Sequence, residues 1–197
     1  MIIRRLEEPF QNFTVGITSF NILKSEKINQ LLSNITRTEK IGEKPLIQFF
    51  NADNIAGWMH LYTAAHFTVK NLLTSSSKIK SVELELLRWV SAQKQLSEAI
   101  TIIGVKDTDK RIALLSIGCS EPEVKNKILS TLTDNSLTED LALLEIDSNK
   151  ITRLKKIFQI PDEEFNPLIK GSNNTELSKN LILKLVINRM AALIVKK

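Results

Sequence analysis

The chain has one cysteine, two histidines and six scattered glycines in 197 residues, and aromatic side chains make up only 6% of it. Each scarcity removes a class of chemistry. A lone Cys119 excludes an internal disulfide and any multi-cysteine zinc site, and it is expected simply to occupy a strand-to-helix junction. His60 and His66 lie six residues apart, a step that turns a helix by about 240° beyond one full turn, so they point to different faces and cannot chelate one metal. Both are expected to be packed and hydrogen-bonded. The single glycines form no phosphate-cradling loop, and there is no Gly-x-Ser-x-Gly nucleophile elbow. Asp53, Glu83, Glu85 and Glu98 read as acids at helix starts or in solvent. The sequence therefore offers no metal site, no cofactor site and no catalytic constellation, and a small enzyme with an unrecognised site is the minor alternative.

Long apolar runs are also missing. The most apolar segment, Leu181 to Val195, is interrupted by Lys184, Asn188 and Arg189 and is too short to span a bilayer. The opening residues turn acidic at Glu7-Glu8-Pro9, which is unlike a signal peptide. A cytoplasmic protein with no membrane partner is expected. What is present is a basic excess, +5 with a pI of 9.3, on a chain that is 43% hydrophobic and 25% charged. That balance suits a globular domain with a substantial core, and it is compatible with a polyanionic partner.

The pattern along the chain predicts an α+β, helix-dominated single domain over 1–197, with a small sheet of about three strands. Strands are expected at Phe13–Ile22, Leu46–Phe50 and Arg111–Ile117. The last is a continuous apolar run, implying burial on both faces. Helices are expected at Glu26–Thr36, then from Asp53 to Leu73 with Asn51 and Asp53 as caps. Further helices follow from Ser81, over Lys94–Ile103, and from Ser120, where Ser-x-x-Glu spacing makes a capping box. Three more are expected near Lys150–Phe158, Asp162–Ile169 and Glu176–Val195. In the helix that begins at Asp53, the inward stripe is expected to be Ile55, Met59, Tyr62, His66, Val69 and Leu73, widened by Trp58, Ala65 and Leu72. His60 shares another face with Gly57, Ala64 and Phe67, where small residues admit a neighbouring backbone. Ile100 is expected inside, and Gly104 is expected to end its helix in the left-handed conformation.

Two features lie outside this scheme. Lys70, Lys78, Lys80, Arg88 and Lys94 fall around one helix, its linker and the next hinge; they are either the rim of one basic patch or separate solvated side chains. The final helix is apolar almost all round, so it is either central to the core or shared between core and partner. Trp58 and Trp89, at helical spacing, read as core rather than as base-stacking platforms.

In order and spacing, the segment from Leu46 onward resembles the small kinase-binding subunit of the KEOPS complex, which makes threonylcarbamoyladenosine in tRNA. The resemblance rests on the helix Asp53-Asn54-Ile55-Ala56-Gly57-Trp58-Met59-His60-Leu61 and on the Glu-leucine-rich helix from Glu83 through the hinge Ser91-Ala92-Gln93-Lys94-Gln95 to Ala99. It continues through Gly104-Val105, the strand Ile112–Ile117 and the tail Asn188-Arg189-Met190-Ala191-Ala192-Leu193. Residues 24–45 match loosely, as a helix and loop insertion, and Ala92 stands where the family usually has glycine. The resemblance implies a non-catalytic subunit that docks on an atypical kinase/ATPase and helps hold the 3′ CCA end of tRNA. On that reading Lys78, Lys80, Arg88, Lys94 and Gln95 line the RNA site, while Ile187, Met190, Ile194 and Val195 contribute to the kinase contact. A protein-only adaptor without RNA binding is the rival.

Overall fold

The computed structural model describes residues 1–22, 26–33, 40–74, 79, 81–166 and 175–195. Within them a four-stranded antiparallel sheet has the order β1-β2-β4-β3, formed by β1 (Ile2–Arg5), β2 (Thr14–Asn21), β3 (Leu46–Asn51) and β4 (Arg111–Gly118). The fold is α+β, as the pattern predicts, with one strand more than the three expected. The extra strand is β1, four residues at the sheet edge whose Arg4 and Arg5 are exposed, so it lacks the apolar alternation that marks a strand.

β4 lies between β2 and β3 and is buried along nearly all its length. Its alternate side chains serve two cores. Ala113, Leu115 and Ile117 join Val15, Ile17, Leu46 and Phe50 on one face. Ile112 and Leu114 join Phe20, Ile47 and Phe49 on the other. The second face is covered by α1 (Glu26–Ser33) and by α5 (Glu121–Asp134), whose Val124 and Ile128 press so closely on Gly16 that a Cβ there would meet them at 2.5 and 2.6 Å. The Ser120 half of the capping box forms, with the Glu123 amide donating to Ser120 Oγ at 3.4 Å.

The first face carries the larger core, built with α2 (Gly57–Leu73), α3 (Val82–Ser91), α6 (Ser148–Ile157) and α8 (Thr175–Val195). α4 (Leu96–Ile103) flanks α3, and the short α7 (Asp162–Phe165) follows α6. The buried stripe of α2 is His60, Leu61, Ala64, Ala65, Thr68, Val69 and Asn71; of the predicted stripe Ala65 and Val69 lie on it and Ile55 is buried just before the helix, whereas Leu73 is 52% exposed, which corrects its place. Two polar side chains, His60 and Asn71, have partners waiting on α3, so apolarity alone misplaces the face. In α4, Ala99 and Ile103 are inside while Ile100 is 47% exposed, again a correction, because a helix of eight residues at the surface buries only one narrow edge. Gly104 is extended (φ −62°, ψ 152°) rather than left-handed; a Cβ there would sit 2.4 Å from the Ile100 carbonyl oxygen, and close approach is what requires glycine.

His60 is wholly enclosed. Its Nδ1 accepts from the Ala56 amide at 3.1 Å, which leaves Nε2 to donate to the Val90 carbonyl at 2.9 Å. The Phe158 ring meets the imidazole edge-on with centroids 5.6 Å apart. The backbone nearest Gly57 is that of Leu144, whose carbonyl oxygen would lie 3.8 Å from a Cβ placed there. Burial pushes the His60 pKa from 6.5 down to about 4, with the nearby Lys150 ammonium adding to the effect against the opposing Val90 bond. The unfolded chain therefore takes up a proton near pH 6.5 that the folded chain resists until about pH 4. This group's contribution to stability is complete above pH 6.5 and is lost as the pH falls from there to about 4. Denaturant unfolding across that range is expected to show up to about 3 kcal/mol of loss that a His60→Asn variant, itself less stable, does not show. Parallel pH profiles for the two proteins would contradict the assignment.

Candidate functional site

The chain leaves α3 through a left-handed residue, Ala92 (φ 55°). The Ala92 amide donates to the Trp89 carbonyl at 3.1 Å and the Gln93 amide donates to the Arg88 carbonyl at 3.3 Å, the paired closure that follows a helix end of this kind. Ser91 reinforces it, donating to the Arg88 carbonyl and accepting from the Gln93 amide. The backbone reverses and presents Gln93, Lys94 and Gln95 before α4 begins.

The end of α6 repeats this geometry. Gln159 is left-handed (φ 50°) and the Ile160 amide reaches back to the Lys155 carbonyl at 2.9 Å. From α8, Arg189 spans the carbonyls of Phe158 and Gln159, each at 3.3 Å, and forks onto both carboxylate oxygens of Glu164. Between the two helix ends lies a groove of about 380 Å³, with Ala92 to Gln95 and Glu98 on one wall, Phe158 and Gln159 on another, and Arg189, Ala192 and Leu193 on the third.

Of the predicted RNA residues, Lys94 and Gln95 are exposed on this groove. Arg88 is elsewhere: its guanidinium lies 5.0 Å from the Trp89 ring centroid and donates to Glu85 at 3.0 Å. Glu85 is 0% exposed and also accepts from Asn71 Nδ2 at 2.6 Å and Trp89 Nε1 at 2.9 Å. It lies in the first turn of α3, as expected of a helix-start acid, but it is buried rather than solvated; Glu83, in the same turn and also buried, accepts from the Ser81 hydroxyl. Lys78 and Lys80 lie outside the described residues, as does the Val195 side chain.

Of the predicted partner residues, Met190 is 0% exposed and belongs to the core, which corrects its expected place on the surface. The helical pattern could not separate it from its neighbours because α8 is apolar on nearly every side. Ile187 is half-buried and packs against the same core, whereas Ile194 is 41% exposed. Sequence reasoning missed Gln159 and Arg189 as groove residues. The segment Phe158-Gln159-Ile160-Pro161 carried a helix-stop signal, but nothing in it indicated proximity to Lys94. His66 is half-buried against Phe10, with centroids 5.2 Å apart. Among the described residues no cluster of three or more His, Cys, Asp or Glu side chains can hold a metal, and no helix is long and apolar enough to cross a membrane.

The left-handed Ala92 has a measurable consequence. Glycine has no steric penalty there, so Ala92→Gly is expected to raise stability by about 0.5–1 kcal/mol after its greater unfolded-state freedom is counted. An unchanged or lowered denaturation midpoint would mean that the turn is not left-handed in solution.

A profile of the family described as kinase binding protein CGI-121 matches residues 20–193, which extends the likeness well to the N-terminal side of Leu46. The chain is also similar to a regulatory protein Cgi121 of Methanocaldococcus jannaschii, 32% identical over 113 residues that cover 57% of this chain and 70% of that protein. By the extent of these matches, this chain belongs to the CGI-121 family of kinase-binding proteins.

Proposed function

We propose that this chain is a non-catalytic accessory subunit of a KEOPS-type tRNA-modification assembly, docking on its atypical kinase/ATPase and helping to hold the 3′ CCA end of tRNA. Membership of a kinase-binding family supports the first half. The second half is supported by one juxtaposition: Lys94 and Gln95, expected at the RNA end, share a groove with Ala192 and Leu193 of the C-terminal helix expected at the kinase. A single recess then serves the RNA terminus while the outer side of the same helix, through Ile194, meets the protein partner. The net charge of +5 agrees with an anionic ligand.

The protein-only adaptor is the second reading, favoured by one observation: Arg88 is held toward Glu85 and Trp89 and does not line the groove with Lys94 and Gln95.

The two readings separate in a binding experiment with tRNA that carries or lacks its terminal CCA, across a salt titration. Removal of CCA is expected to abolish most of the affinity. Lys94→Glu is expected to weaken binding and to flatten the logarithmic salt slope by roughly 0.7 for each single-strand phosphate that is no longer neutralised. Absence of any salt-dependent binding would favour the adaptor. On the protein side, Ile194→Glu is expected to leave the monomer folded, since the side chain is 41% exposed, and to weaken kinase co-purification at least about tenfold. Undiminished co-purification would remove Ile194 from the contact.

A further inference from the structure

The end of α4 remote from the groove is held by one buried amide. Asn54 closes the short 3-10 turn Ala52–Asn54 that follows β3, and it is 6% exposed. Its Nδ2 donates to the Ile102 carbonyl and its Oδ1 accepts from Arg153 Nε on α6, each at 2.5 Å. Arg153 is exposed, and the two terminal nitrogens of its guanidinium make no hydrogen bond or ion pair among the described residues. A guanidinium fixed through Nε and open at its outer edge is pre-organised for a phosphate.

Positive charge accumulates around the same turn. Arg111, at the start of β4, pairs with Asp53, Nη1 to Oδ1 at 2.6 Å, and stays 39% exposed. Beneath them the buried Lys150 ammonium donates to the Leu143 and Glu145 carbonyls. Burial first, and then the charges of Arg111 and Arg153, bring the Lys150 pKa down to about 8 against the pull of Asp53 and Asp147. Three cations thus share this space with two carboxylates, and both carboxylates are engaged, Asp53 by Arg111 and Asp147 by the Lys150 amide. Lys110, beside Arg111, and Lys156, one turn beyond Arg153, are exposed and add to the excess.

Two helices join this cluster to the groove. α4 begins at Gln95 and ends beside Asn54, while α6 begins at the cluster and ends at Phe158 and Gln159. The eight residues of α4 span about 12 Å. An acidic protein surface would match the charge equally well, but continuity with the groove favours RNA. Resting on the tRNA-end reading above, we infer that Arg111 and Arg153 form a second RNA contact, which grips backbone phosphates of the acceptor stem, with Lys110 and Lys156 flanking it. The contact carries no sequence information and fixes the direction from which the terminus enters.

The test uses the whole chain and tRNA with or without its terminal CCA, each across a salt titration. Arg153→Gln is expected to weaken binding of both tRNAs by the same factor and to flatten the logarithmic salt slope by about 1. The double variant Lys110→Gln/Lys156→Gln is expected to flatten it by about 2 with an unchanged melting temperature, since both side chains are exposed. In every variant the affinity ratio between the two tRNAs is expected to stay at its wild-type value. Unchanged slopes in both variants would overturn the inference, and a preserved CCA ratio would then leave the tRNA-end reading in place. Reduced slopes with no CCA preference in wild type would support the phosphate contact and overturn the tRNA-end reading. Loss of kinase co-purification with unchanged tRNA binding would give the cluster to a protein partner and overturn the inference. Failure of wild type to bind either tRNA would overturn both.

Discussion

The α2–α3 hairpin is fixed by one buried polar side chain at each end, and the groove depends on both. Where α2 starts and α3 finishes, the His60 imidazole connects the Ala56 amide to the Val90 carbonyl. Where α2 finishes and α3 starts, the Asn71 amide reaches the fully buried Glu85 carboxylate. Apolar packing between two helices tolerates sliding by a turn, whereas buried donors and acceptors do not, because each unmatched group costs about 1–3 kcal/mol. The two contacts therefore determine register, and α3 can end in only one place. That place is the hinge.

From the hinge the constraint passes on by contact. Val90, which accepts from His60, is followed directly by Ser91 and the left-handed Ala92. The Phe158 ring packs edge-on against the same imidazole, so the end of α6 is located by the side chain that locates the end of α3. Arg189 completes the arrangement by tying α8 to the Phe158 and Gln159 carbonyls. A proton on His60 would place a charge beneath the groove, and the burial that holds the ring neutral is thus part of how three separate elements converge.

Local pattern carried much of this in the sequence. β4 is recognisable as an unbroken apolar run, the Ser120 box as a capping signature, and the hinge as a polar interruption between two amphipathic segments. What escaped was determined by distant partners. Glu85 reads as a helix-start or solvated acid, and only its distant partner Asn71, with Arg88 and Trp89, shows that the carboxylate is buried. Met190 and Ile194 are four residues apart on one helix, yet one is sealed and the other open, because the core touches α8 along a line that its uniform apolarity does not mark. β1 escaped for the opposite reason: an edge strand with two arginines has too little apolar contrast to register. Gln159 and Lys94 are 65 positions apart in number, and no spacing rule relates them.

The electrostatics of the groove follow from which helix ends meet there. α3 and α6 both direct their carbonyl termini toward it, and each such end carries partial negative charge. α4 contributes its N-terminus, positive in sign and without a side-chain cap, but Glu98 in its first turn offsets that. Arg189 neutralises the α6 carbonyls and Glu164 neutralises Arg189 in turn. With the signs so nearly cancelled, a phosphate gains little by entering the recess, and it loses its hydration on doing so. Neutral polar groups lose less, and the side-chain amides of Gln93, Gln95 and Gln159 make no hydrogen bond among the described residues. A recess formed from opposed helix termini and glutamines is therefore polar but nearly neutral, and it suits uncharged hydrogen-bonding groups more than an anion.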